Sequence, residues 1–228
     1  RQVSSAASDV YKRQAYGTAV NFEGVELEGI GQISINDIEQ AADMGFRIKL
    51  LGVSQFTDRG LEQRMTPCLV PAQSPLGQLE GGTNMVVLEG DNVGQIVLRG
   101  AGAGEGPTAS AVLSDICDLA RGTRISTFGQ PAKSLRRAQT TQSVTPAPFY
   151  LRLQLLDKPG ALARVAAILA DSGISIDRMR QYGHSEETAP VLIVTHKTSR
   201  QALNKALAEL PNTDVLAAQP VALRIETV

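Results

Sequence analysis

The sequence predicts an α+β protein in two parts, a mixed segment of strands and helices followed by a smaller βαββαβ unit. Apolar runs typical of strands change repeatedly to apolar residues at helical spacing. A stretch rich in Gly, Pro, Ser, Thr and Gln, with no acidic residue between Asp118 and Asp157, separates the two parts. The 228 residues, 43 % of them hydrophobic, suffice for one medium and one small domain.

The first part begins with a predicted helix over residues 34–45. Ser34 and Asp37 have the spacing of a capping box, and Gly45 is a suitable residue to follow the helix. Four apolar residues fall on one face: Ile35, Ile38, Ala41 and Ala42. The pattern therefore predicts a short amphipathic helix.

Two hairpins are predicted next. Residues 46–56 and 61–70 are rich in strand-forming residues and are joined by the turn-like sequence of residues 57–60, which predicts an antiparallel pair. Residues 84–88 and 93–98 flank a second turn. The fold expected of this part is a mixed or antiparallel sheet with helices.

A glycine run at residues 100–106 leads into a helix with Pro107 in its first turn and Gly122 after its last. The run does not satisfy G-x-G-x-x-G, and there is no P-loop lysine. Two interpretations remain open. The glycines allow tight packing of the helix, or they present backbone N–H groups to a phosphate or ribose.

Residues 125–148 are interpreted as a linker. After it, alternating Phe149, Leu151, Leu153 and Leu155 predict a strand, and the following pattern predicts a helix, two strands, a second helix and a fourth strand. This order, βαββαβ over residues 149–228, is that of a ferredoxin-like sandwich.

The sequence LLDKPGALARVAAILADSGISI (155–176) is the most specific signal in the second part. Asp157 can cap a helix that begins at Pro159, and Gly160 lets a ligand approach the amides of the first turn, so the turn could hold a carboxylate. Within a βαββαβ unit this sequence resembles the ACT domain, which binds amino acids or only dimerises. The resemblance implies effector contacts at Asp157, Gly160, Ala161, Ser175 and Ile176. Many amino-acid-binding members have Asn near Ser175, so the identity of the effector stays open.

The first part resembles the later half of homoserine dehydrogenase. The sequences that carry the resemblance are EGIGQISINDIEQAADMGFRIKLLG (28–52), TPCLVP (66–71), SPLGQLEGGTNMVVLEG (74–90) and RGAGAGEGPTASAVLSDICDLARG (99–122). Residues 15–124 are thus interpreted as part of the catalytic domain, including a helix that returns to the nucleotide-binding domain. Aligned on GAGAG, the contact to the nicotinamide cofactor, NAD or NADP, falls on Gly104.

The resemblance implies interconversion of L-homoserine and L-aspartate 4-semialdehyde in threonine, methionine and isoleucine biosynthesis. It implies L-threonine as effector and a homo-oligomer. The catalytic lysine and the substrate-binding acidic residues are expected upstream, so no catalytic residue is assigned. Lys12 has the wrong flanks, and Glu23, Glu26 and Glu28 are interpreted as a solvated loop. The chain alone is expected to be inactive. The alternative is a non-catalytic, amino-acid-sensing ACT module.

Composition narrows the possible partners. The 22 basic and 23 acidic residues give a net charge of -1, which does not favour nucleic acid. Every apolar stretch is too short for a membrane span. Two cysteines without a paired motif argue against zinc and disulfides and favour the reducing cytoplasm. Residues 1–14 match neither resemblance and are interpreted as a non-native tail, which would make the chain a C-terminal fragment.

Overall fold

The computed structural model describes residues 12–19, 21–142, 145–183 and 187–227; most of the predicted tail, residues 1–11, lies outside them. The first part contains β1 (Thr18–Ala19), β2 (Glu26–Leu27), α1 (Ile35–Asp43), β3 (Phe46–Thr57), β4 (Gly60–Pro71), β5 (Thr83–Gly90), β6 (Gly94–Ala101) and α2 (Glu105–Ala120). The connecting segment contains β7 (Arg136–Arg137) and β8 (Thr140–Thr141). The second part contains β9 (Phe149–Leu156), α3 (Ala161–Asp171), β10 (Ile176–Gln181), β11 (Thr188–Thr195), α4 (Arg200–Glu209) and β12 (Val221–Ile225).

The predicted α+β class and the βαββαβ order are confirmed. Strands β3 and β4 pair antiparallel along their whole length, and β5 pairs with β6 in the second predicted hairpin. Ser34 caps α1: its Oγ accepts from the Asp37 N–H at 3.2 Å, and its own N–H donates to Asp37 Oδ2 at 2.8 Å. The capping box predicted from the sequence is therefore confirmed.

One sheet crosses both parts. The second part has the strand order β10-β11-β9-β12, with each neighbouring pair antiparallel. Strand β12 then pairs parallel with β4, placing Arg224 opposite Cys68 and Ile225 opposite Leu69. Strand β2 lies farther along the same edge of β4, while β3 pairs with the other edge. The two parts are thus joined through backbone hydrogen bonds between strands.

The sheet of the second part is covered on both faces. Helices α3 and α4 bury one face with Val165, Ile168, Leu169, Leu203 and Ala206 against apolar residues of β9 and β11. Helix α1 and strands β3 and β4 cover the other face, where Ala41, Phe46 and Leu69 pack with Tyr150, Leu192, Val194, Val221, Leu223 and Ile225. This second cluster combines residues of both parts, so each part contributes to the other's core.

Helix α1 packs on the sheet with a different face from the one that its apolar residues predict. Ile35 and Ile38 are 74 % and 51 % exposed, whereas Asp37 and Ala41 are buried. Asp37 Oδ1 lies 2.6 Å from Arg152 Nε on β9. This ion pair turns the Asp37 side of the helix toward the sheet, and a tertiary partner of this kind is not visible in helical periodicity.

The segment predicted as a linker connects the two parts but runs along the first one. Strand β7 pairs with β1, and β8 pairs with β4 opposite Leu61 and Glu62. Farther on, the backbone N–H and the Oγ1 of Thr145 both donate to Glu62 Oε1 at 3.0 Å. Polar residues at these positions therefore satisfy groups on β4.

Candidate functional site

The glycine loop lies at the start of α2. Gly104 is the N-cap residue, with φ +124°, a conformation that residues with a side chain rarely adopt. Its carbonyl accepts from both the N–H and the Oγ1 of Thr108, at 3.1 and 2.7 Å. A Cβ at Gly102 would lie within 3 Å of the Asn84 side chain, whereas nothing lies within 4 Å of one at Gly100 or Gly106. Backbone conformation favours glycine at 104, whereas a side chain at 102 would only displace the exposed Asn84 side chain.

Helix α2 offers a large apolar surface. Within the part of the chain that the structure describes, none of its residues is buried, and four large apolar residues are more than half exposed: Val112, Leu113, Ile116 and Leu119. The other predicted reason for the glycines, tight packing of this helix, has no counterpart among the described residues. Exposed apolar area of this extent is typical of a surface that another domain or subunit covers.

The turn before α3 differs in detail from the prediction. The helix begins at Ala161, two residues later than expected, and its N-cap is Gly160 in the left-handed region (φ +85°), with no side-chain cap. The prediction that Asp157 is the N-cap is therefore wrong, because the N-cap position is Gly160. The Ala161 N–H donates to the Lys158 carbonyl at 3.2 Å. That hydrogen bond occupies the Ala161 amide assigned to a carboxylate. The space around Gly160 is open.

The predicted effector residues lie at opposite ends of the second part. Ile176 is paired with Thr195 near the start of β9, whereas Gly160 follows the end of β9 at Leu156. Strands β9 and β10 run in the same direction. About six residues of strand, roughly 20 Å along the strand axis, therefore separate Ile176 from the turn at Gly160. Ser175 is exposed, and its carbonyl accepts from the His196 N–H at 2.9 Å. A single copy of the chain does not bring Gly160 and Ser175 together.

A cluster of buried charges lies where the parts meet. Glu226 Oε1 accepts from Arg64 Nη2 at 2.6 Å and from Arg224 Nε at 2.7 Å, and Arg64 Nη1 lies 3.6 Å from Glu62 Oε2. We call these four residues, Glu62, Arg64, Arg224 and Glu226, the charge junction. Their side chains are at most 13 % exposed. Sequence reasoning missed the junction, since Arg64 and Glu226 are 162 positions apart.

Glu26 and Glu28 are not simply solvated, as was expected. Their carboxylates face Arg200, the first residue of α4, with Arg200 Nη2 at 3.8 Å from Glu26 and 3.9 Å from Glu28. Burial raises the pKa of Glu28; the Arg200 charge lowers this pKa and the Glu26 charge raises it. The expected solvated loop is thus in part a contact between the two parts.

The cysteines differ in accessibility. Cys68 is buried, and burial raises the pKa of its thiol to about 11, so it is a poor nucleophile; Cys117 on α2 is exposed. In the ranges that the structure describes, no group of three His, Cys, Asp or Glu residues could hold a metal ion. Among the described helices, none is long and apolar enough to span a membrane.

The described residues do not form a complete dinucleotide site. The strand before the glycine loop pairs only antiparallel, with β5, so the loop is not part of a parallel βαβ unit. The architecture defines a class: a mixed-sheet domain joined to a βαββαβ domain, with a glycine loop that leads into an exposed apolar helix.

Comparison with known proteins specifies that class. Residues 9–117 match the homoserine dehydrogenase family and residues 149–212 match the ACT domain. The chain therefore carries a homoserine dehydrogenase family domain followed by an ACT domain, and both resemblances are confirmed. The first match begins at residue 9, inside the predicted tail, whose foreign origin stays a prediction.

The relatives match along nearly the whole chain. A homoserine dehydrogenase of Neisseria gonorrhoeae is 38 % identical over 221 residues, and one of Pseudomonas aeruginosa is 34 % identical; each alignment covers 93 % of this chain and 51 % of the relative. The crystal structure of a homoserine dehydrogenase from Thiobacillus denitrificans has a TM-score of 0.85 at 34 % identity, covering 99 % of this chain and 53 % of that one. The chain thus spans about half the length of the relatives that it matches.

Proposed function

We propose that this chain belongs to an NAD- or NADP-dependent homoserine dehydrogenase that interconverts L-homoserine and L-aspartate 4-semialdehyde in threonine, methionine and isoleucine biosynthesis. The observation that carries the proposal is the agreement of both parts, in one order, with relatives of that name. The nicotinamide cofactor would supply the hydride chemistry. We place the enzyme in the cytoplasm, where these metabolites and reduced thiols are expected.

In this proposal the first part supplies a cofactor edge and a docking surface. Gly104 would bring backbone close to the nicotinamide, because a residue without Cβ leaves room for a flat ring. The exposed apolar residues of α2 would pack on the nucleotide-binding half of the whole enzyme, which would remove their surface from water. The test is a hybrid that joins the N-terminal half of the Neisseria gonorrhoeae relative to residues 15–228.

In the hybrid, Gly104→Ala is expected to weaken NADPH binding about tenfold, the equivalent of roughly 1.4 kcal/mol. The Cβ strains a backbone at φ +124° and stands at the edge that the cofactor approaches. Gly122→Ala is the matched control, because Gly122 also has a positive φ (+76°), lies beyond the other end of α2, and has open space around it. Fluorescence titration with NADPH measures both. Equal affinities in the two variants would contradict a cofactor contact at Gly104.

We further propose that the ACT domain binds L-threonine between two copies of the chain. Strand β12 is already paired with β4, and β10 is the outer strand of the order β10-β11-β9-β12-β4-β2. Two copies related by a twofold axis could pair through β10, which covers both exposed edges. Antiparallel pairing of β10 with its copy places the Gly160 end of one copy level with Ser175 and Ile176 of the other. That pairing would bring together the effector residues that one copy keeps apart.

Calorimetry with the full chain is expected to show threonine binding and no binding of methionine, isoleucine or lysine. The full chain is required because the outer face of the ACT sheet is buried by α1, β3 and β4. Gly160→Ala should remove most of the heat, since a side chain there strains the turn that faces the effector. Gly122→Ala is the control: it has φ +76° and open space, and it follows α2 in the first part rather than the ACT domain.

The oligomeric state is read on the same samples. Sedimentation equilibrium should give a dimer. The alternative result is a chain that sediments as a dimer and gives no heat with any amino acid at millimolar concentration. That result would contradict effector binding, and the ACT domain would then serve only for dimerisation. Loss of binding in both glycine variants would contradict the specific role of Gly160.

A further inference from the structure

The hairpin of β5 and β6 stands apart from the main sheet. Among the described strands, β5 and β6 pair only with each other, and none of their residues belongs to either buried cluster. A two-stranded hairpin by itself is marginally stable in water. The glycine loop follows β6, at the end of the hairpin where Thr83 is paired with Ala101. The position of the glycine loop therefore depends on what holds this end of the hairpin to the rest of the first part.

Residues 72–82, which we call the β4–β5 loop, connect the main sheet to this end of the hairpin. At the start of the loop, the Ala72 N–H donates to the Gly45 carbonyl at 2.8 Å. At its end, the Gly82 carbonyl accepts from the Gly102 N–H at 3.2 Å. The β4–β5 loop thus contacts the main sheet at one end and the glycine loop at the other.

Lys49 anchors the β4–β5 loop between these two points. It lies on β3, opposite Cys68, in a strand pair that runs along the whole length of β3 and β4. Its half-buried Nζ donates to the Leu79 carbonyl at 2.5 Å. A hydrogen bond from a charged donor is stronger than one between neutral groups. The later part of the loop is therefore fixed to the main sheet by a side chain.

The backbone that follows this anchor is flexible by composition. Gly81 and Gly82 are consecutive, Gly81 has φ +65°, and nothing lies within 4 Å of a Cβ at either position. Glycine has more accessible backbone conformations than any other residue. Without the anchor at Leu79, the freedom of the preceding loop residues would add to that of the two glycines. The Gly82 carbonyl would then be bound to the Gly102 N–H for less of the time.

We propose that Lys49 is a positioning residue for the glycine loop. Through the β4–β5 loop it keeps Gly102, and with it Gly104, where the nicotinamide cofactor approaches; this last point rests on the proposed function. Lys49 acts on the cofactor only through the backbone that it anchors. Its effect on the glycine loop can be measured on the chain alone, and its effect on the cofactor in the hybrid.

Hydrogen exchange of the chain alone tests the anchor. Lys49→Met is expected to raise the exchange rate of the Gly102 amide about tenfold, the lower end of the range for losing a hydrogen bond to a charged group. The Leu61 amide, which donates to the Gln139 carbonyl at 2.8 Å, should not change. Arg47→Met is the matched control, since it removes an exposed cation from the same strand, and it should leave both amides unchanged. An unchanged rate at Gly102, or an equal rise at Leu61, would overturn the proposal.

NADPH titration of the hybrid tests the consequence for the cofactor. Lys49→Met is expected to weaken NADPH binding about threefold, because the apparent dissociation constant rises as the loop spends less time in the binding conformation. The KM for homoserine should stay the same, whereas general damage to the fold would change both constants. Lys49→Arg keeps a positively charged donor and should restore both the NADPH affinity and the slow exchange of Gly102.

The outcomes separate the anchor from the proposed cofactor contact. Unchanged NADPH affinity in Lys49→Met, in a hybrid whose affinity Gly104→Ala does weaken, would overturn the positioning role. Equal losses in Lys49→Arg and Lys49→Met would also overturn it, because the charged donor would then not be the cause. Unchanged affinity in Gly104→Ala would contradict the cofactor contact instead, and the exchange rate of Gly102 would still decide whether Lys49 holds the loop.

Discussion

Glu226→Gln is expected to lower the free energy of unfolding of this chain by about 3 kcal/mol, the lower end of the range for breaking a buried ion pair. The Glu226 carboxylate is shared by two guanidinium groups, Arg64 at 2.6 Å and Arg224 at 2.7 Å, and both arginine side chains are at least nine-tenths buried. Glutamine keeps an acceptor oxygen but removes the charge that balances them. Urea unfolding followed by circular dichroism measures the loss.

Asp214→Asn is the matched control for this substitution. Asp214 accepts from Lys158 Nζ at 2.7 Å, nearly the distance found at Glu226, but its side chain is exposed to solvent. The same change from acid to amide should leave the unfolding midpoint where it is, because water screens the pair. Equal shifts in the two variants would contradict the stabilising role of the charge junction.

Local signals in the sequence were sufficient for most elements of the fold. Ser34 and Asp37 cap α1 as their spacing predicts, and the turn at residues 57–60 joins the strands expected on either side. These features depend on residues a few positions apart, where backbone geometry and hydrogen bonding are decided by local sequence. The same holds for the βαββαβ order of the second part.

The sequence did not predict features that depend on a partner distant in the chain, such as which face of α1 is buried. Asp37 is buried because Arg152, 115 residues away, pairs with it, which leaves Ile35 and Ile38 on the exposed side of α1. The pairing of β12 with β4 likewise joins distant segments. A polar residue at a helical position gives no sign of such a partner, since the usual expectation for it is solvent.

The sequence predicted where the candidate effector turn lies in the chain, but not its hydrogen bonding or its distance from the other effector residues. The sequence indicated the turn at residues 157–161, but not that Gly160 would be the helix N-cap in place of Asp157. A glycine in the left-handed region can begin the helix without a side-chain cap, so the acidic residue is not needed for that purpose. The separation of Gly160 from Ser175 follows from strand order, which short motifs do not contain.

The purified chain is expected to show no homoserine-dependent reduction of NAD or NADP, whereas the hybrid with the Neisseria gonorrhoeae N-terminal half should turn over. In the proposed function the described residues supply only one edge of the cofactor site, at Gly104, and the strand before the glycine loop is not part of a parallel βαβ unit that could bind a dinucleotide. The difference should be at least about 10⁶-fold, the lower range of enzymatic rate enhancement. Absorbance at 340 nm with saturating homoserine measures it.

The N-terminal half of the relative, expressed alone, is the control for the hybrid. It should bind NADPH yet turn over far more slowly, because the surface meant for α2 would be uncovered and the sheet of β3 and β4 would be missing. Homoserine-dependent reduction by the 228-residue chain alone would contradict the prediction. A folded hybrid that binds NADPH but never oxidises homoserine would contradict the proposed reaction, and the other role, amino-acid sensing without catalysis, would then be favoured.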